Sequence, residues 1–66
     1  MRVSINGSPR ELPDGTSVER LLLDVTGSTR GSAVVVDGEV VPRSSWADCV
    51  LRNGQTLELI TAVQGG

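Results

Sequence analysis

The chain has 66 residues, 38% of them hydrophobic, and a net charge of −2. A domain of this size buries only about 60% of the surface its unfolded chain exposes, so there is room for one small core and one domain. No apolar run approaches the roughly 20 residues that span a bilayer, the opening Met1-Arg2-Val3-Ser4-Ile5-Asn6-Gly7 lacks the apolar region of a signal peptide, and the absence of a basic patch argues against nucleic acid.

These observations point to a cytoplasmic protein with no membrane and no nucleic-acid partner. Histidine is absent and Cys49 is the only cysteine, which excludes His/Cys metal sites, intramolecular disulfides and a Ser-His-Asp triad. The four Asp and four Glu are scattered without catalytic spacing, so a self-contained enzyme is not expected. All six basic residues are Arg, which leaves no ε-amine for isopeptide attachment.

Arg2 to Ile5 reads as a strand, with Val3 and Ile5 apolar at period two. Asn6-Gly7 is a hairpin turn, because both positions take positive φ. Ser8 to Leu12 returns as a second strand, which Pro9 confines to an edge, and Pro13-Asp14-Gly15 ends it. A helix over about residues 17–25 follows. Thr16 and Glu19 have the spacing of a capping box, Val18, Leu21, Leu22 and Val25 share one face, and Gly27 supplies a left-handed stop.

Residues 27–32 form a loop that lacks the spacing and the Lys of a phosphate loop. Ala33 to Val36 is a β-branched strand, Asp37-Gly38 a second hairpin turn, and Glu39 to Val41 its return. A two-residue loop sets Val35 opposite Val40 and Val34 opposite Val41. Pro42 closes the strand. Arg43 to Val50 is irregular, with Ser44 or Ser45 placed to cap a single turn that carries Trp46, the only aromatic, as a lid over one end of the sheet. Cys49 reads as a small, half-buried filler, since no His, Lys or second cysteine near it would lower its pKa, and Arg52 is only a weak candidate for that role. After the turn Asn53-Gly54, Thr56 to Val63 is the last strand, with Leu57 and Leu59 inward and Glu58 and Ile60 outward.

One helix crossing between a hairpin and further strands must pack on one face of a mixed sheet. The expected fold is therefore α+β, a β-grasp of four to five strands on one principal helix, with the first and last strands parallel at the sheet centre. The expected core is Val18, Leu21, Leu22 and Val25 against Val3, Ile5, Val34, Val36, Leu57 and Leu59. The domain is expected over residues 1–63, followed by a flexible tail at 64–66 that adds almost nothing to stability.

The sequence as given ends Gln64-Gly65-Gly66, directly after the last strand. Read as a terminus, this is a side-chain-free tail with a free carboxylate. Glycine has no Cβ and accepts almost any φ/ψ, so an enzyme can close around it and activate the acid. A frayed chain end is the bland alternative. Outward from the helix, Val35, Val40, Ile60 and Ala62 are apolar, with Arg43 and Glu58 on their rim. Such a patch is a candidate docking face.

The segment from Val34 to Trp46, VVVDGEVVPRSSW, resembles the V-x-V-N-G-E-V-V-P-R-S-x-W centre of the ThiS-type sulfur carriers of thiamin biosynthesis. The opening VSINGSPREL, the strand TLELITAV and the ending QGG are similar to the same family, so the resemblance runs along essentially the whole chain. Asp37 stands where Asn is commoner, and both suit the turn. Cys49 is not a position that the family motif marks.

The resemblance implies a ubiquitin-like fold and a protein cosubstrate, not an enzyme. A ubiquitin-activating-type adenylyltransferase would adenylate the carboxylate of Gly66 with ATP, Gln64 and Gly65 would thread into its channel, and a sulfur donor protein would replace AMP to leave a thiocarboxylate. Thiazole synthase would take the sulfur. No cofactor would be bound by the chain itself. Two other readings stay open: a carrier for another route such as molybdenum cofactor, and a non-covalent β-grasp binding module whose Gly-Gly is incidental.

Overall fold

The computed structural model describes residues 1–61. Five strands and one α-helix run in the order β1 (Arg2–Ile5), β2 (Ser8–Glu11), α1 (Val18–Thr26), β3 (Ser32–Val36), β4 (Glu39–Val41) and β5 (Thr56–Thr61), with a single 3-10 turn at Arg43–Ser45. The sheet order is β2-β1-β5-β3-β4. β1 and β5 pair in parallel at the centre, and every other pairing is antiparallel. The expected β-grasp architecture is present. The end of the last strand, Ala62 and Val63, the tail 64–66 and the boundary between domain and tail lie outside the described residues.

The two hairpins form for the reason their turn residues indicate. Asn6 and Gly7 have φ of 50° and 85°, Asp37 and Gly38 have φ of 50° and 84°, and a two-residue hairpin turn needs positive φ at both positions to match the strand twist. The registers Val35↔Val40 and Val34↔Val41 are the ones the two-residue loop requires. β2 is exposed at all four residues and holds Pro9, as an edge strand tolerates.

Both turn residues also use their side chains on β5. The Asn6 amide accepts from the Leu59 N–H at 2.9 Å and donates to the Leu59 carbonyl at 3.2 Å. These two bonds continue the β1–β5 ladder past its last backbone pair, Ile5↔Leu57. On the other flank, Asp37 Oδ1 accepts from the Thr56 N–H at 2.9 Å, and the Asp37 N–H donates to the Thr56 carbonyl at 2.8 Å.

The helix begins one residue later than the capping-box spacing indicates. Ser17 is its N-cap, in extended conformation, and its hydroxyl accepts from the Arg20 N–H. Thr16 is tied elsewhere: its hydroxyl donates to the Pro13 carbonyl at 2.7 Å, and its carbonyl accepts from the Leu51 N–H at 2.9 Å. The segment after the 3-10 turn satisfies two more of the orphaned helix N–H groups, Val18 donating to the Cys49 carbonyl and Glu19 to the Trp46 carbonyl. Gly27 ends the helix in the left-handed region, its N–H donating to the Leu23 carbonyl.

Val18, Leu21 and Leu22 are at most 1% exposed and pack on Val3, Ile5, Val34, Val36, Leu57 and Leu59, all buried. Val25 does not join them. The last helical turn runs past the core and leaves it 39% exposed. Leu12, Trp46 and Leu51 complete the core. Trp46 lies under the sheet end as the expected lid, its indole N–H donating to the Val41 carbonyl at 2.9 Å. The turn before it has Pro42 at its N-cap and no side-chain cap, so neither Ser44 nor Ser45 serves as one. Cys49 is half-buried against the core, as a filler would be.

Leu22 has no exposed surface and sits at the meeting of helix and sheet. Leu22→Ala should cost about 2–5 kcal/mol of folding stability, measured by urea denaturation. Val25→Ala, at the same helical stripe in the sequence, should cost less than about 1 kcal/mol.

Candidate functional site

The strand alternation that fills the core also builds the opposite face. On β5, Leu57 and Leu59 enter the core, while Glu58 and Ile60 are exposed on the other side. Pairing carries this across the sheet. Val35 of β3 lies opposite both Val40 of β4 and Glu58 of β5, and Ala33 lies opposite Ile60. Val40 is 70% exposed, Ile60 is 54% exposed and Val35 is half-buried among its neighbours. Ordinary monomer surfaces scatter such side chains singly, whereas here three sit on adjacent strands of one face.

The face is not apolar throughout. On the β1–β2 side it carries the ion pair of Arg2 with Glu11, at 2.8 Å, and the Ser4–Pro9 pair. The apolar part is confined to β5, β3 and β4. Its border toward the start of β5 is acidic, with Glu58 and Asp37 exposed. Its border toward the end of β5 is basic. There Gly31, Ser32, Ala33, Ile60 and Arg43 line an open groove, and Ser32 pairs with Thr61, the last described residue.

Arg43 reaches this groove from the loop after β4. One guanidinium nitrogen, Nη2, donates to the Thr29 carbonyl, and the guanidinium carbon stands 5.5 Å from the centre of the Trp46 ring. The Trp lid thus fixes one rim charge of the outer face.

Of the site residues indicated by the sequence, the structure brings Val35, Val40, Ile60, Glu58 and Arg43 onto or beside one face. Ala62, Gln64, Gly65 and Gly66 lie outside the described residues. Two contributors were missed. Ala33 precedes Val35 by two, so alternation alone could have placed it there. Thr29 acts through its backbone carbonyl, for which its side chain gives no signal. Among the described residues no three His, Cys, Asp or Glu groups are placed to hold a metal ion, and no helix is long and apolar enough to cross a membrane.

Comparison with known proteins bears on what this face and the segment after it do. The ThiS family model matches residues 3–66. The chain is 35% identical over 66 residues to a thiazole synthase of Paramagnetospirillum magneticum, where the match covers all of this chain and 20% of that protein. It is 26% identical over 66 residues to the sulfur carrier protein ThiS of Escherichia coli K12, covering 100% of both. Among solved structures, it is similar to the crystal structure of the thiamine biosynthesis protein (ThiS) of Geobacter metallireducens, with a TM-score of 0.81, 26% identity and 100% of both chains covered. An NMR solution structure of a thiamine biosynthesis protein from the same organism shares the fold at a TM-score of 0.83 and 23% identity, covering 100% of this chain and 88% of that one.

The outer face should be dispensable for folding. Val40→Asp and Ile60→Asp should each change folding stability by no more than about 1 kcal/mol. Leu59→Ala, one residue away on the opposite face, should cost about 2–5 kcal/mol by the same denaturant measurement.

Proposed function

This chain belongs to the ThiS family, and on that premise we propose that it is a sulfur carrier whose C-terminal carboxylate is adenylated, converted to a thiocarboxylate and drained by a thiazole synthase that builds the thiazole ring of thiamin. The observation that carries the reading is the family match through residue 66, which includes Gln64-Gly65-Gly66. The β-grasp of residues 1–61 supports it, because it delivers that segment directly from the central strand of a small folded body.

The chemistry follows from the acid itself. A terminal carboxylate has a pKa of about 3.5 and is an unreactive anion at neutral pH. Attack of its oxygen on the α-phosphorus of ATP releases pyrophosphate and makes an acyl-adenylate, whose AMP is a good leaving group. The outer sulfur of a persulfide on a donor protein then attacks the carbonyl carbon and expels AMP, and a thiol cleaves the S–S bond of the acyl disulfide so formed, leaving a disulfide on the donor side and freeing the thiocarboxylate. The product thiocarboxylate is a soft nucleophile on a folded handle. The chain supplies no acid, base or metal to these steps and is a cosubstrate, not a catalyst. ATP would be bound by a ubiquitin-activating-type adenylyltransferase, and the reaction would take place in the cytoplasm.

A thiazole synthase as the receiving partner is supported by the Paramagnetospirillum relative. That protein bears the name thiazole synthase, and the region similar to the whole of this chain fills 20% of it. A carrier-like region and a thiazole synthase joined in one polypeptide implies that the two act on each other when separate. The docking surface would be the exposed face of Val35, Val40 and Ile60, with Arg43 and Glu58 as rim charges and with Ala62 assigned to it by sequence alternation alone. A site of this kind gains affinity by covering apolar area and gains orientation from the charges around it.

Removing Gly66, or appending one alanine after it, should leave the thermal midpoint nearly unchanged and abolish both ATP-dependent adenylation and the exchange of one oxygen for one sulfur, read by intact-protein mass spectrometry. Deletion shortens the reach of the acid. Extension moves it past the nucleotide and adds a methyl group where a glycine channel closes. Uptake of sulfur by the extended protein at the parent rate, without prior trimming, would refute the carrier reading and favour a binding module.

A further inference from the structure

Arg2 and Arg20 have carboxylate partners, Glu11 at 2.8 Å and Asp24 at 3.3 Å. Arg10, Arg30, Arg43 and Arg52 have none among the described residues. Within that second group Arg43 differs in kind. Its guanidinium is held by the Thr29 carbonyl and stacked over Trp46, which is 3% exposed and itself fixed by its bond to the Val41 carbonyl. A surface arginine normally loses considerable side-chain entropy when it is captured by a partner. Here the Thr29 carbonyl and the Trp46 ring already restrain the side chain, and the guanidinium still has N–H donors to spare out of its five.

The surroundings define what those donors fit. Arg43 lines a groove whose other walls are Gly31, Ser32, Ala33 and Ile60, and the Ala33–Ile60 pair belongs to the same apolar face as Val35 and Val40. A single planar fork beside an apolar wall matches a carboxylate set in a protein surface. The face is also electrically polar along β5: exposed Asp37 and Glu58 lie toward one end and Arg43 toward the other.

We propose that Arg43, pre-positioned by Trp46 and the Thr29 carbonyl, is the anchor by which this face captures a carboxylate on the docking surface of a protein partner, and that the anchor fixes the orientation in which the segment after Thr61 is presented. The proposal rests on the carrier reading for its choice of partner, the thiazole synthase. It adds the chemistry of the contact: an Asp or Glu of the synthase, flanked by an apolar side chain that meets Ile60 and Ala33. Arg43 is a recognition and positioning residue in this arrangement and takes no part in sulfur chemistry.

The test uses the thiazole synthase of the same genome as the probe and titration calorimetry at low and high salt, with sulfur uptake by each variant measured in parallel. The parent should bind, with affinity that falls as salt rises. Arg43→Gln should bind about 10-fold or more weakly, with most of the salt dependence gone. Arg43→Lys, which keeps the charge but not the planar fork or its stacking, should recover only part of the loss. Far-UV circular dichroism and the urea midpoint confirm that each variant is folded.

Parent-like affinity of Arg43→Gln, or parent binding that does not respond to salt, overturns the anchor. If the parent meanwhile takes up sulfur, the carrier reading survives that result. A parent chain that takes up no sulfur sinks the carrier reading and the choice of partner with it.

Discussion

The structure depends on the parallel pairing of its first and last strands. β1 and β5 are separated by the whole of the chain, and their backbone ladder is short, Ser4↔Thr56 and Ile5↔Leu57. The first hairpin turn lengthens it, because Asn6 extends the ladder along β5 with both atoms of its amide. On the other flank of β5, Asp37 extends the antiparallel β3–β5 ladder in the same way with its carboxylate and backbone. Non-local parallel pairing must overcome a large loop-closure entropy, and the side-chain bonds of Asn6 offset part of that cost where β5 runs past the end of β1. With β5 pinned between β1 and β3, the crossover helix has one face of the sheet to cover and does so with Val18, Leu21 and Leu22.

The same strand separates the core from the face proposed for docking. Successive residues of β5 alternate between the core and the outer face, so Leu57 and Leu59 hold the fold together while Glu58 and Ile60 remain available. A carrier needs this division. Its handle must survive handling by several enzymes, and its reactive atom must lie outside the packed body.

Much of this was legible in the sequence, for identifiable reasons. Period-two and period-3.6 patterns placed the strands and the helix, and Asn6-Gly7 and Asp37-Gly38 set their turns, because few residue pairs accept positive φ twice. The cap was misread by one residue because Thr16 and Ser17 are both competent. The local bond of the Thr16 hydroxyl to Pro13 and the long-range bond of its carbonyl to Leu51 leave Ser17 the role. Val25 fits the helical stripe, but its burial depends on how far the sheet reaches under the last turn, which periodicity does not encode. The second use of Asn6 and Asp37, on β5, and the clamp of Arg43 by Thr29 are long-range contacts through groups that serve local turns equally well. Local pattern does not report them.

The chain holds two places where sulfur chemistry is conceivable, the terminal carbonyl of Gly66 and the thiol of Cys49. Cys49 is half-buried, its carbonyl closes the helix N-terminus by accepting from Val18, and its side chain packs against the core. That is the setting of a structural cysteine. The carrier reading therefore demands that sulfur reside on the backbone terminus. Top-down mass spectrometry of the chain after incubation with ATP, the adenylyltransferase and the sulfur donor decides it. The prediction is that one oxygen is replaced by one sulfur in the fragment that contains Gly66, with the Cys49 fragment unchanged. Sulfur added to Cys49, with the Gly66 fragment unaltered, would contradict it.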